Sequence, residues 1–205
     1  MSDKHRIEWN KRYREGNHHK RKDPSKFLTE WEPLLPEGKA LDPGCGAGRN
    51  ALFLASKGYE VDAIDYSEEA LKIGRKWARE QSLKLNWIHS DVKTYEFPRE
   101  IYDVIIISYF HPLDKLEEIK TSLKEGGYFL YEHHISTEEE VDRGPSKTKF
   151  RYGPNELLDK FSGFQILFYA EGTEISEDGE KSAIARIVAR KTSNFKKDLP
   201  PISNP

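Results

Sequence analysis

Strand and helix patterns alternate along the 205 residues. They predict an α/β fold: a doubly wound seven-stranded sheet, mostly parallel, with an antiparallel terminal hairpin. Three observations carry this. Gly44, Gly46 and Gly48 follow a short apolar run and precede Ala51-Leu52-Phe53-Leu54-Ala55, a strand–turn–helix signature. Tyr102–Ser108 is a continuous apolar run, as a central strand buried on both faces requires. The residues between Phe164–Ala170 and Ala183–Lys191 are Glu, Ser, Asp and Gly types that cannot hold a crossover helix, so these last two strands pair as a hairpin at the sheet edge.

The remaining elements follow in order. Residues 1–22 form a basic arm, and Trp9 and Tyr13, four apart, share one face if a short helix forms there. Asp23-Pro24 has the pattern of an N-cap followed by proline at the first helical position, with Phe27, Leu28, Trp31, Leu34 and Leu35 at helical spacing behind it. Lys39–Asp42 is the first strand and Tyr59–Asp65 the second; the helix between them stops at Lys57-Gly58. Ser67 caps the next helix, with Glu68 and Glu69 at its positive end. Leu85–His89 is the third strand. After the central strand come a helix around Leu113–Leu123, a turn at Glu125-Gly126-Gly127 and a fifth strand, Tyr128–Glu132. Residues 135–151 are poor in apolar groups and suggest a mobile loop over the site. A helix over Asn155–Phe161 ends at Gly163. This organises the chain as an arm (1–22), one domain (23–191) and a loose tail (192–205).

Composition narrows the functional classes. Lys+Arg 33 against Asp+Glu 35 gives a net charge of −2, which argues against a surface built to grip nucleic acid. No apolar run reaches the about 18 residues of a membrane span, and the charged N-terminus has no apolar signal core. With a single cysteine an internal disulfide is ruled out, and a cytoplasmic setting is the expectation. His18-His19 lack further His or Cys at ligand spacing, so no metal site is expected.

The glycine turn carries the chemistry. Alternating glycines let a ligand approach the main chain, and the helix that follows presents free N–H groups. Asp65 ends the second strand about twenty residues on, the spacing at which a carboxylate holds ribose hydroxyls. The dinucleotide fingerprint would need its last glycine at position 49, where Arg49 stands. The pattern therefore indicates a different nucleoside-containing cofactor. In a doubly wound sheet the ligand binds at the carboxyl ends of the strands, where Asp42 to Gly48, Asp65, Asp91, Ser108 to His111 and Glu132 to His134 collect.

The run Leu-Asp-x-Gly-x-Gly-x-Gly at residues 41–48 resembles the first motif of the class I S-adenosylmethionine methyltransferases. Trp9-x-x-x-Tyr13, Gly48-Arg49-Asn50-Ala51, Gly58-Tyr59 and Asn155-Glu156-Leu157-Leu158 ahead of Tyr169-x-Glu171 resemble its tellurite-resistance and thiopurine methyltransferase group. The resemblance implies a Rossmann-like methyltransferase fold, S-adenosylmethionine as cofactor and S-adenosylhomocysteine as product. It implies that Gly44, Gly46 and Gly48 pack under the methionine portion, with Asp42 facing its cationic end. Asp65 would hold the ribose, Asp91 and Val92 the adenine edge, and Ser108 would lie beside the reacting methyl. Trp9 and Tyr13 would fold over the cofactor, with Asn50 and Tyr66 completing the set. Tyr109-Phe110-His111-Pro112 departs from the group's aromatic and basic stretch, which leaves the substrate open.

The function expected is methyl transfer to a small-molecule acceptor, such as a soft sulfur, selenium or tellurium nucleophile. His111 and His133 stand at strand ends where a base is useful if the nucleophile arrives protonated; of the neighbouring His133 and His134, only one can point into the site. An RNA or protein methyltransferase using the basic arm, and a non-catalytic S-adenosylmethionine-binding module, are the alternatives. The Asn-Pro-Pro-Tyr type of motif is absent after the fourth strand, which argues against nucleobase methylation. No membrane partner is expected, and the chain is expected to act as a monomer or homodimer.

Overall fold

The computed structural model describes residues 3–16, 22–176 and 179–193. Seven strands form one sheet: β1 (Lys39–Pro43), β2 (Glu60–Asp65), β3 (Asn86–His89), β4 (Tyr102–Ser108), β5 (Leu123–His134), β6 (Gln165–Ile175) and β7 (Lys181–Arg190). Their order is β3-β2-β1-β4-β5-β7-β6. The first five run parallel, and β7 lies antiparallel between β5 and β6. This is the expected doubly wound sheet with its terminal hairpin. The winding direction reverses between β1 and β4, so a crevice opens at their carboxyl ends.

Residues alternating along β4, β5 and β7 split into two apolar layers. Ile105, Ile107, Phe129, Tyr131, Ala185 and Ile187 pack on one face with α5 (Leu116–Thr121) and α6 (Glu156–Asp159). Val104, Ile106, Leu130 and Val188 pack on the other with α2 (Lys26–Trp31) and α3 (Arg49–Ser56). Burial on both faces explains why β4 is an unbroken apolar run. α4 (Glu68–Glu80) starts where expected, with Ser67 Oγ accepting the Ala70 N–H. α1 (Asp3–Arg14) lies against α4.

Several boundaries differ from those the sequence suggests. Asp23 and Pro24 stand outside α2, which begins at Lys26 with Ser25 at the N-cap. The Ser25 hydroxyl does not cap, because a buried acid claims it. Glu125-Gly126-Gly127 is no separate turn but an irregular stretch inside β5, where pairing slips between Tyr102↔Leu123 and Val104↔Tyr128. The helix expected to Leu123 divides into a 3-10 turn, Leu113–Lys115, and the shorter α5. The helix expected over 155–161 is the single turn α6, and Asn155 before it is left-handed with φ 59°. Loop 135–151 is fastened: Arg151 donates to the carbonyls of Pro145, Ile135 and Arg143, and Arg143 Nε donates to Glu180 at 2.8 Å. His18 and His19, and the tail beyond Ser193, lie outside the described residues.

Candidate functional site

The glycine ribbon joins β1 to α3 at the reversal point. Gly44 and Cys45 donate their N–H groups to the Ile64 carbonyl at 2.8 and 3.0 Å, which pins the ribbon to β2. Gly46, left-handed at φ 57°, donates to Asp65 Oδ2 at 2.8 Å, while Asp65 Oδ1 accepts from Ser67 at 2.7 Å. The acid that ends β2 thus fixes both the ribbon and the start of α4. A side chain at position 46 would be strained by that φ and would strike the Tyr13 hydroxyl; one at 44 would strike the Phe110 ring. Trp87 lies equally close over Gly48.

Two carboxylates flank the ribbon. Asp42 is 3% exposed and Asp65 7%. Burial pushes Asp42 up to about 7, against the field of Arg49. Burial likewise pushes Asp65 up to about 6, against the N–H groups it accepts. Among the described residues neither acid makes a salt bridge, and burial disfavours the charged form of both, so positive charge brought to this crevice would be stabilised by drawing a carboxylate into its ionised form. Sulfonium and ammonium groups supply that charge. The bare ribbon and the acid pair therefore suit S-adenosylmethionine, provided the Tyr13 and Phe110 rings turn aside.

The other expected contacts surround this centre. Tyr13 comes from α1, with Trp9 6.1 Å away ring to ring. α1 is held to the body by polar contacts: Asn10 Oδ1 accepts from Ser67 Oγ at 2.8 Å, and Tyr66 donates to the His5 carbonyl at 3.4 Å. Asp91 caps its own turn through the Lys93 N–H at 3.0 Å. Val92 is buried in the apolar layer below.

Asn50 and Ser108 belong to a buried relay. Asn50 Oδ1 accepts the Ser25 N–H, and its Nδ2 donates to Ser108 Oγ, both at 2.9 Å. Ser108 Oγ donates to Glu132 Oε1 at 3.0 Å, and Ser25 Oγ donates to the same oxygen. Arg186 stands 3.4 Å from Glu132 Oε2 and grips Glu174 with both terminal nitrogens, at 2.7 and 2.9 Å. Ser25, Arg186 and Glu174 carried no local sequence signal. Glu132 did, as a carboxylate ending the apolar run Phe129-Leu130-Tyr131.

The histidines part company. His133 points to the face of β5 opposite Glu132, 1% exposed, with Nε2 2.9 Å from the Phe150 carbonyl oxygen. Burial lowers it to about 3, so it is neutral. His111 lies 5.4 Å from it, ring to ring, stacked on Tyr152 at 4.6 Å. His134 takes the Glu132 face. It meets Tyr109 at 5.0 Å and borders a pocket of about 160 Å³ that Tyr109, Arg143, Ser176 and Ser182 also line.

Comparison with known proteins bears on the family and the fold. Residues 40–127 match the family described as a methyltransferase domain. The chain is 28% identical over 171 residues to a probable S-adenosyl-L-methionine-dependent methyltransferase, TehB of Haemophilus influenzae, covering 77% of this chain and 59% of that one. It therefore spans well under two thirds of that relative's length. A ubiquinone biosynthesis O-methyltransferase of Rickettsia akari is 32% identical over 81 residues, 40% of this chain and 32% of the relative. The crystal structure of the Haemophilus influenzae TehB superposes with a TM-score of 0.70 at 25% identity, over 80% of this chain and 61% of that one.

Proposed function

We propose that this chain, which carries a class I S-adenosylmethionine-dependent methyltransferase domain and resembles TehB, transfers a methyl group to a small-molecule acceptor. The observation that carries the proposal is the pair of buried carboxylates, Asp42 and Asp65, beside a glycine ribbon that carries no side chain of its own and is covered by the Tyr13 and Phe110 side chains. The family implies S-adenosylmethionine as the cofactor, which supplies a methyl group on a good leaving sulfur. The chain's own part is orientation and exclusion of water. Gly44, Gly46 and Gly48 would pass under the methionine portion, with Asp42 facing its charge. Asp65 would take the ribose with the lone pairs its two N–H contacts leave. Asp91 and Val92 would border the adenine. Ser108 would lie at the transfer point, held by Asn50 and Glu132. Trp9, Tyr13 and Tyr66 would cover the cofactor from α1 and its seat.

A soft sulfur, selenium or tellurium nucleophile is the acceptor class favoured. Such a nucleophile gives up its proton to water far more readily than an alcohol and attacks as the anion, so no protein base is needed. This suits a site where His133 is neutral and tied to a carbonyl and His111 is held low by burial. Titration calorimetry with S-adenosylmethionine, followed by turnover on a thiol panel against bulk RNA, tests the proposal. Binding with thiol turnover supports it. RNA turnover would replace it with the basic-arm alternative, and tight binding without turnover would leave a cofactor-binding module.

A further inference from the structure

The buried relay behind the crevice has a fixed direction. It starts from a group that can only donate, the Ser25 backbone N–H, which reaches Asn50 Oδ1 at 2.9 Å. Asn50 must therefore turn its carbonyl oxygen to Ser25 and its Nδ2 to Ser108 Oγ, also at 2.9 Å. That bond fills one lone pair of the Ser108 oxygen, and the single hydroxyl proton goes on to Glu132 Oε1 at 3.0 Å. The Ser25 hydroxyl donates to the same oxygen. Glu132 Oε2 faces Arg186 Nε at 3.4 Å, again a donor only. Burial works against charge on Arg186, but its bonds to Glu174 and the field of Glu132 outweigh it, and the guanidinium stays charged. Both ends of the relay are thus donors that cannot be reversed. Glu132, 1% exposed, is where the two hydroxyl protons converge.

The consequence falls on Ser108. Its oxygen has given its proton inward and keeps one lone pair that the relay does not fill. It also stands at the crevice. Carrying the β1–β4 register of Leu41 with Ile105 on by three residues sets Ser108 level with Gly44, where the glycine ribbon begins. There it can accept but not donate. A positive group, or a C–H group polarised by one, is attracted to such an oxygen, and a ligand lone pair is repelled by it. A serine outside such a relay turns its hydroxyl to suit either partner.

We infer that Glu132 is a positioning residue: by drawing the Ser108 proton inward it leaves that oxygen to receive the positive end of S-adenosylmethionine, and so sets this chain's preference for the sulfonium over its neutral thioether product. The inference deepens the methyl-transfer proposal and rests on it. Without Glu132 the Ser108 hydroxyl would be free to offer its proton to the thioether, and the product would be held as well as the cofactor.

Glu132→Gln reverses the relay at nearly constant size. The new amide nitrogen cannot face Arg186 Nε, donor against donor, so it turns inward to Ser25 and Ser108. Ser108 then accepts twice and its proton swings to the crevice. Titration calorimetry with S-adenosylmethionine and with S-adenosylhomocysteine reads the result. In the variant the first is expected to bind about tenfold or more weakly, and the second to stay within about threefold of the parent. The ratio separates polarity from support, because a loosened fold weakens both ligands alike. Adding Arg186→Gln should restore the parent ratio. The terminal atoms of that glutamine sit where arginine carries Nε, its oxygen accepts the amide at position 132, and the oxygen of that amide turns back to the two serines. The double change leaves the net charge unaltered, so recovery would trace the effect to hydroxyl direction. Ser108→Ala, which removes the oxygen, should lower the ratio even if Glu132→Gln fails to fold. An unchanged ratio in Ser108→Ala, equal weakening of both ligands by Glu132→Gln, or a double variant no better than Glu132→Gln would overturn the inference. If neither ligand binds the parent protein, the methyl-transfer reading falls and the inference with it. If both bind and Glu132→Gln leaves their ratio unmoved, only the assignment to Glu132 falls.

Discussion

Ser25 Oγ and Glu132 Oε1 lie 2.5 Å apart across 107 residues of sequence. The contact joins the start of α2 to the end of β5 and satisfies an acid only 1% exposed. Ser108, donating to the same oxygen, adds β4 to the junction. Ser25→Ala should therefore cost about 1.5–3 kcal/mol, the range for a buried hydrogen bond to a charged group, rather than the smaller loss of an idle N-cap. Urea unfolding measures it. A loss under about 0.5 kcal/mol would mean that water replaces the hydroxyl.

Buried acids and buried histidines should pull the pH dependence of stability in opposite directions. Asp42 holds its proton in the folded state up to about 7, whereas the unfolded acid loses it near 3.8. Between those values it makes the fold more stable as pH falls. His133 is depressed from 6.5 to about 3, so in that window the unfolded chain takes the proton and the fold loses stability as pH falls. Each full proton is worth at most about 1.4 kcal/mol per pH unit. Hence Asp42→Asn should make the protein more acid-sensitive than the parent between pH 6.5 and 5, and His133→Gln less so. Unfolding free energies at pH 5, 6 and 7 check the signs, and the same sign from both variants would contradict the burial argument.

How far the sequence foretold this arrangement depended on range. Gly44–Gly48 and Asp65 were legible because the ribbon, the helix after it and the next strand end are local, with their spacing dictated by one strand–helix–strand unit. β4 was legible because burial on both faces leaves an unbroken apolar run. The start of α2 was misplaced because Asp23-Pro24 satisfies every local capping preference, while the deciding bond, Ser25 to Glu132, is long-range. The irregular start of β5 was missed because Glu125-Gly126-Gly127 has turn composition, whereas pairing of Leu123 with Tyr102 keeps the strand going. His133 was preferred to His134 because period-two alternation says only that the two point apart; which face of β5 carries Glu132 toward Ser25 and Ser108 is set by the layers packed on either side of the sheet.

The ionisation of Asp42 also bears on ligand binding. A cation favours the charged carboxylate, so S-adenosylmethionine should bind more tightly as pH rises from 6 to 8 and should release protons on binding at pH 6. S-adenosylhomocysteine, whose sulfur is neutral, should show a smaller pH dependence. Calorimetry in buffers of different ionisation enthalpy reports the proton count directly. An identical proton count for the two ligands would remove Asp42 from the neighbourhood of the sulfur.

Asp65 has a structural duty that complicates its test. Its two oxygens hold the N–H groups of Gly46 and Ser67, so Asp65→Ala should lower the melting temperature as well as weaken cofactor binding by roughly 1.5–3 kcal/mol. Asp65→Asn keeps one acceptor oxygen and separates the two effects: most of the stability should return while the affinity stays reduced. Full recovery of affinity in Asp65→Asn would mean that the acid serves the ribbon and not the ribose.

The Tyr13 hydroxyl over Gly46 requires α1 to shift before a cofactor can lie on the ribbon. The helix is equipped to do so. Its ties to Ser67 and Tyr66 are polar and Ile7 is 64% exposed, so its apolar hold rests on Tyr13, packed against the cluster of Ala47, Leu52, Trp77 and Ala78. A segment with few buried contacts opens at a small fraction of the global unfolding free energy. Amides of α1 should therefore exchange with deuterium far faster than those of β4 in the free protein. Saturating S-adenosylmethionine should change exchange in α1 and at residues 44–48 while leaving β6 unaltered. Slow, ligand-independent exchange in α1 would show that Tyr13 is a fixed part of the crevice wall, and would place the cofactor elsewhere.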